Sequence, residues 1–225
     1  MILGIPERRA REKDRRRNAI LKAAKSLIAR YGVEGMSMNQ LAESTELNKA
    51  TLYLYFEDKD DLVDAVVYEG LVLLEKEHQE ADRPALSGFD KVTNLVRTTF
   101  AFYKKQPVYF YALNHQERRK AADRRDTPFA AKGDEVAVRI FDRTAEALRQ
   151  GIQEGSIRQG IDVNMFLVQL YAQMYGVTHT IYAKEDIYKD VFNLNPAAIE
   201  KSALEILEYY LNSGHGARSK GPEIT

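Results

Sequence analysis

Residues 36 to 59, MSMNQLAESTELNKATLYLYFEDK, concentrate the groups best suited to meeting a nucleic acid. Asn48 is an expected N-cap, since its side-chain oxygen can accept from the free N–H groups of a first helical turn. The helix it opens is expected over residues 49 to 55, with Lys49, Thr51, Tyr53 and Tyr55 outward and Leu52 and Phe56 four apart on the buried side. Leu41, Ala42 and Leu47 fill the space between this helix and the one before it. A major groove admits one such helix, whose leading residues meet base edges while hydroxyls and cations take phosphates. Taken singly, aromatics at 53, 55 and 56 serve equally as core, and a lysine at 49 or 59 equally as a solvated charge. Their combination at this spacing predicts double-stranded DNA as the partner.

The motif also carries a resemblance. Tyr31-Gly32 closing a first helix, Gly35 before the motif, and Thr51-Leu52-Tyr53-x-Tyr55-Phe56-x-x-Lys59 resemble the DNA-binding domain of the TetR family of bacterial transcriptional regulators. The likeness is close over residues 15 to 66 and beyond that extends only to length, helical content and layout. It implies an all-α fold with an N-terminal three-helix helix-turn-helix domain and a C-terminal helical ligand-binding and dimerisation domain. It further implies a ligand-released homodimeric repressor, with a DNA-binding protein lacking an effector as the alternative. The candidate DNA contacts are Ser37, Asn39, Asn48, Lys49, Ala50, Thr51, Tyr53, Tyr55 and Lys59. Two positions depart from the family's habit: Glu46 stands in the turn where glycine is common, and Leu54 stands where many relatives carry a polar or aromatic residue.

Composition narrows the remaining choices. The chain of 225 residues has no cysteine, which excludes disulfides, thiolate ligands and thiol redox sensing. Net charge is zero, yet residues 1 to 59 hold twelve basic against eight acidic side chains, so the positive end is the motif's end. Arg8, Arg9, Arg11, Lys13, Arg15, Arg16 and Arg17 read as a basic arm over residues 1 to 13 and just beyond, either solvated and disordered or touching phosphates or a minor groove. No run reaches the roughly 20 apolar residues of a membrane span, and the N-terminal charge order is not that of a secretory signal. A soluble, cytoplasmic protein without membrane partner or cofactor is expected. An enzyme finds little support: Glu75-x-x-His78 is half of the paired motif of di-iron bundles, and no catalytic or metal-ligating set stands out.

Helical periodicity covers the rest of the chain. Helices are expected over residues 14 to 31 and 59 to 80, then after Ser87-Gly88, from Pro107, from 129 to 153, from 164 to 183 and from 196 to 212. Residues 118 to 128 read as a surface loop and 184 to 195 as a connection. These give a DNA-binding domain at 14–60, a ligand-binding and dimerisation domain at 61–213 and a disordered tail at 214–225. Fourteen of 22 aromatic residues fall between positions 95 and 192, enough to line a cavity for a small apolar or aromatic effector. Phe100, Tyr103, Phe110, His115, Phe141, Tyr171, Tyr175 and His179 are its candidate lining; simple core packing is the alternative. A homodimer through the last two helices would use Phe166, Leu167, Leu170, Met174 and Val177 with Ile199, Ala203, Ile206, Leu207 and Tyr210. Two reading helices about 34–36 Å apart then predict a near-palindromic operator.

Overall fold

Acidic residues placed just ahead of basic ones start the first helix earlier than apolar periodicity indicates. In the computed structural model, which describes residues 5–119, 127–183 and 185–212, Glu12 accepts from Arg15 at 2.9 Å and from Arg16 at 3.1 Å, and Asp14 accepts from Arg17 at 3.0 Å. Such pairs, three and four residues apart with the acid first, favour helix. The basic stretch is accordingly the front of α1 (Ile5–Gly35) rather than a disordered arm. Gly32, at φ 69°, takes the left-handed conformation that turns the chain out of the helix proper.

Nine more helices follow among the described residues: α2 (Met38–Thr45), α3 (Lys49–Tyr53), α4 (Lys59–Ala81), α5 (Gly88–Lys105), α6 (Pro107–Arg118), α7 (Pro128–Glu154), α8 (Val163–Ala183), α9 (Glu185–Phe192) and α10 (Pro196–Leu211). The stretch 184 to 195 thus contains a helix where a connection was expected. The one extended pairing among the described residues is an antiparallel bridge between Ile157 and Asn212. The tail from 214 lies outside the described residues.

The helices form two units. The first comprises Met1–Leu73 with Lys105–Val136, so α6 and the start of α7 join the helix-turn-helix, a grouping that a boundary at residue 60 does not capture. Ile20, Ala24, Ile28, Leu41, Leu52, Phe56, Leu62, Val66 and Phe110 make its buried core. Gly70 lets α4 meet α6 closely, since a Cβ there would stand 2.8 Å from the Tyr109 ring. Beside it, Lys25 donates to Glu69 at 2.7 Å and to the Tyr109 hydroxyl at 3.1 Å.

A buried polar cluster completes this unit. The Asp64 carboxylate accepts from Gln116 at 2.8 Å, from Thr127 at 3.1 Å and from Arg119. Thr127 also receives the Ala130 N–H at 3.1 Å, capping α7. Both described ends of the 118 to 128 segment are therefore anchored inside, because a buried carboxylate draws in the donors that satisfy it; the middle of that segment lies outside the described residues.

The second unit comprises Leu74–Lys104 with Ala137–Thr225. Val92, Val96, Phe100, Ala147, Leu148, Ile157, Phe166, Leu170, Ala203, Leu204, Leu207 and Leu211 form its core. Gly88 opens α5 against α7: a Cβ on it would lie 2.1 Å from the Gly151 nitrogen, and its own N–H donates to Glu154 at 2.5 Å. The residues expected at a dimer seam divide here. Phe166, Leu167, Leu170, Ala203 and Leu207 face the protomer's own core, since α8 and α10 need an apolar stripe each to pack together. The large apolar residues left outward on the two helices include Met165, Val168, Tyr171, Ile206, Tyr209 and Tyr210.

Candidate nucleic-acid interface

Two capped helices and a left-handed turn build the motif. Ser37 accepts from the Gln40 N–H at 3.2 Å while the Gln40 side chain accepts from the Ser37 N–H at 2.8 Å, a reciprocal cap that starts α2. Glu46 sits at φ 56°, ψ 28°, the conformation glycine adopts without steric cost. The Leu47 N–H then returns to the Ala42 carbonyl at 3.0 Å. Asn48 accepts from the Thr51 N–H at 2.8 Å and from the Thr51 hydroxyl at 2.9 Å. Leu41, Ala42, Leu52 and Phe56 are buried, and Leu47 is half-buried.

The second helix is shorter than the expected 49 to 55. It ends at Tyr53, and the next residues tighten into turns in which the Leu54 and Tyr55 N–H groups reach the Thr51 and Leu52 carbonyls at 3.2 and 2.9 Å. What faces outward follows from that. Lys49 and Ala50 are exposed, Tyr53 is 49% exposed and Leu54 78% exposed, whereas Thr51 and Tyr55 are half-buried. Asn39 on α2 is also exposed. Ser37, Asn48 and the Thr51 hydroxyl are engaged in caps, and the Lys59 ammonium donates to the Glu34 carbonyl at 3.3 Å. Arg16 of α1 donates to Glu12 at 3.1 Å; Glu12 first and Tyr55 second raise its pKa. Hydrogen bonds from Arg15 and Arg16 hold the Glu12 carboxyl below its ordinary range. Nothing in residue spacing pairs 16 with 55.

The second unit holds a cavity of about 210 Å³ lined by Phe100 and Lys104 of α5, Thr178, Ile181 and Tyr182 of α8, and Pro196, Ala197 and Glu200 of α10. Of the eight residues expected to line a cavity, Phe100 lines this one. Phe141, Tyr171, Tyr175 and His179 form a series of rings with centroids 5.8, 6.2 and 6.2 Å apart. Tyr103 is buried, and burial pushes its hydroxyl pKa upward. Phe110 belongs to the core of the first unit. His115 is also in that unit, with Nδ1 3.1 Å from Glu34 and Nε2 3.1 Å from Asp60, because it closes a charged cluster rather than a ligand wall. The Asp60 carboxyl is lowered: burial would raise it, but the His115 hydrogen bond and the Arg119, His115 and Lys59 charges prevail.

The model of the tetR family of bacterial regulatory proteins matches residues 20–66, from the apolar half of α1 through the motif into α4. Over those residues the chain is similar to tetR-family regulators. Among similar proteins, the HTH-type transcriptional repressor KstR2 of Mycolicibacterium smegmatis is 23% identical over 150 residues, covering 67% of this chain and 71% of that one. The structure of FadR from Bacillus subtilis in complex with stearoyl-CoA shares 19% identity at a TM-score of 0.66, covering 86% of this chain and 98% of FadR. The ketosteroid regulator KstR2 of Mycobacterium tuberculosis aligns at a TM-score of 0.65 and 17% identity, covering 88% and 95%. These likenesses show the fold. The matched residues include all of α2 and α3. In the former candidate di-iron half-motif, Glu75 is ion-paired to Arg139 and His78 meets Thr99. Among the described residues no helix is long and apolar enough to cross a membrane.

Proposed function

We propose that this regulator is a cytoplasmic, homodimeric repressor that holds a near-palindromic operator through Asn39, Lys49, Ala50 and Tyr53, with Ser37, Asn48, Thr51, Tyr55 and Lys59 shaping or flanking that surface. A small amphipathic effector entering the α5/α8/α10 cavity releases it. The cavity carries the reading: apolar walls with one lysine, one glutamate, a threonine and a tyrosine suit a ligand that is mainly apolar with a polar end. At about 210 Å³ it is below the roughly 300–1,000 Å³ of drug-sized sites, so it takes a compact molecule or one end of a longer one. The acyl-CoA in the FadR structure makes acyl thioesters the first class to test, and steroid-derived molecules the second. The outward apolar residues of α8 and α10 support a dimer that presents two reading helices to successive major grooves.

The effector must prefer the released state, and turning a 1:99 population into 99:1 takes about 5.5 kcal/mol of preference. The test is fluorescence anisotropy on a duplex enriched from a random pool by the protein itself, with acyl thioesters, steroid-derived ligands and free coenzyme A added in turn. An acyl or steroid ligand should lower DNA affinity, and Ala197→Phe, which fills the cavity, should keep DNA binding while abolishing that response. Undiminished DNA binding in the presence of every such ligand would defeat the release mechanism and leave a repressor without an effector.

A further inference from the structure

Glu34 and Asp60 stand at the two ends of the helix-turn-helix segment, Glu34 one residue before the end of α1 and Asp60 second in α4. One ring reaches both. His115 of α6 lies with Nδ1 3.1 Å from Glu34 and Nε2 3.1 Å from Asp60, and its side chain is 15% exposed. Ionised carboxylates only accept hydrogen bonds, whereas a neutral imidazole has one N–H and one lone pair, so only the imidazolium donates to both. In the neutral ring a lone pair would face a carboxylate oxygen at 3.1 Å, a repulsive contact. The charges around the ring are Glu34 from α1, Lys59 and Asp60 from α4, and Arg119 from α6, with Asp64 of α4 reached through Arg119. Three acids thus face two bases, which leaves a negative charge for the ring to balance. Asp58 and Asp61 are turned to the backbone at the start of α4, accepting from the Asp61 and Glu57 N–H groups at 2.9 and 3.0 Å.

We propose that His115 is a positioning residue for the reading motif: its imidazolium clasps the end of α1 to the start of α4, and DNA affinity falls when the ring gives up its proton. This inference rests on the proposed DNA-binding role of α3. The two sides of the clasp are unequal. Asp60 keeps Arg119, 3.7 Å away, whatever the state of the ring. The Glu34 carboxylate is 74% exposed and has no other hydrogen-bond partner among the described residues, since Lys59 holds only the Glu34 backbone carbonyl. A neutral ring therefore keeps Asp60 through Nε2–H and releases Glu34. The released end leads at once into the Met36 N–H, which donates to the Val33 carbonyl at 3.3 Å, and into the Ser37 cap of α2. Loosening that junction lowers the population of the orientation that fits a groove, and affinity drops in proportion. Histidine is the side chain that changes charge between about pH 5 and 8, so the clasp makes operator affinity respond to pH without any ligand.

The test measures DNA affinity of full-length wild type, His115→Gln and Glu34→Gln at about pH 6 and pH 8 and equal ionic strength, on a duplex enriched from a random pool by wild type at the lower pH. Wild type should bind about three- to tenfold more weakly at the higher pH, the worth of one charge-assisted hydrogen bond to a largely exposed acid. His115→Gln, which offers one donor and one acceptor at every pH, should lose that dependence and bind at the lower pH as wild type does at the higher. Glu34→Gln lets a neutral ring accept from an amide N–H, so it should bind tightly at both. His78 keeps its charge state over this range, its pKa being lowered to about 4, and the other histidines are common to all three chains. Circular dichroism should show the three equally folded; if His115→Gln does not fold, Glu34→Gln and amide exchange decide the matter. Exchange in residues 33–37 without DNA, corrected for its intrinsic pH dependence, should lose protection at the higher pH in wild type and keep it in Glu34→Gln. A wild-type pH ratio retained by a folded His115→Gln or by Glu34→Gln would overturn the clasp, as would equal corrected protection of wild type at both pH values. If wild type enriches no duplex, the reading of α3 fails, and exchange alone decides the clasp.

Discussion

His78 should make this protein sensitive to acid beyond what its carboxylates contribute. It is 3% exposed in α4, with Nε2 2.8 Å from the Thr99 hydroxyl. That hydroxyl donates onward to the Leu95 carbonyl at 3.0 Å, so its oxygen is left to accept from Nε2–H. The tautomer is thereby assigned, and Nδ1 is a buried lone pair with no hydrogen-bond partner among the described residues. Burial first, and the Arg143 charge second, lower the pKa of His78 from 6.5 to about 4, against a smaller opposing pull from the Leu95 carbonyl. Because the folded-state value is the lower one, the unfolded chain takes the proton first. The contribution of His78 to stability is complete above pH 6.5 and is lost as pH falls from there towards 4. At ~1.36 kcal/mol per pH unit, the loss between pH 7 and pH 5 is about 2 kcal/mol, and it approaches ~3.4 kcal/mol below pH 4.

The perturbation is His78→Gln, which keeps a donor for Thr99 and does not titrate. Urea unfolding of both proteins at pH 7 and pH 5, at one protein concentration so that any association is held fixed, yields four free energies. Their double difference cancels the carboxylates the two chains share, including Glu75 and Asp82, whose arginine partners Arg139 and Arg143 surround the same stretch of α4. Wild type should lose about 2 kcal/mol more than His78→Gln on acidification. Equal losses would refute the assignment of a neutral, unprotonated Nδ1 to the folded state.

Two further substitutions probe the backbone. Gly88→Ala should destabilise the second unit by about 1–3 kcal/mol in urea melts, because the new Cβ meets backbone of α7 rather than a yielding side chain; unchanged stability would mean the α5–α7 approach is looser than described. Glu46→Gly should raise stability by roughly 0.5–1 kcal/mol in thermal melts by relieving a left-handed residue, offset in part by the greater freedom of glycine when unfolded.

The motif was legible because its determinants are local. Asn48 acts within three residues of itself, so its type at that position announces a cap, whereas Glu46 takes a left-handed turn its type does not announce. Residues 8 to 13 read as an arm because apolar periodicity cannot report a helix whose stabilising contacts are charges. Long-range partners left no trace: Arg119 and Thr127 reach Asp64 across 55 and 63 residues, and polarity alone made their segment look like a surface loop. The lining of the α5/α8/α10 cavity was legible in part. Aromatic content pointed to Phe100, whereas Thr178, Ile181, Pro196 and Ala197, small or aliphatic groups that leave room beside Phe100 and Tyr182, carry no such signal.

Local capping also constrains how an operator is read. Asn48 has committed its side-chain oxygen to the Thr51 N–H and hydroxyl, and Tyr55 stands half-buried. The polar groups still outward on α3 are Lys49 at its start and Tyr53 at its end, with Ala50 and Leu54 exposed between and after them. Lysine suits the O6 and N7 acceptors of guanine, and exposed aliphatic groups suit the thymine methyl, so direct readout is confined to a few base pairs per half-site. A surface with so few hydrogen-bonding groups needs much of its affinity from phosphates and much of its selectivity from the fixed separation of two half-sites. In the proposed dimer that places a premium on whatever sets the distance between two copies of α3: its loss should cost affinity on every operator, while Lys49→Ala should change which operator is preferred.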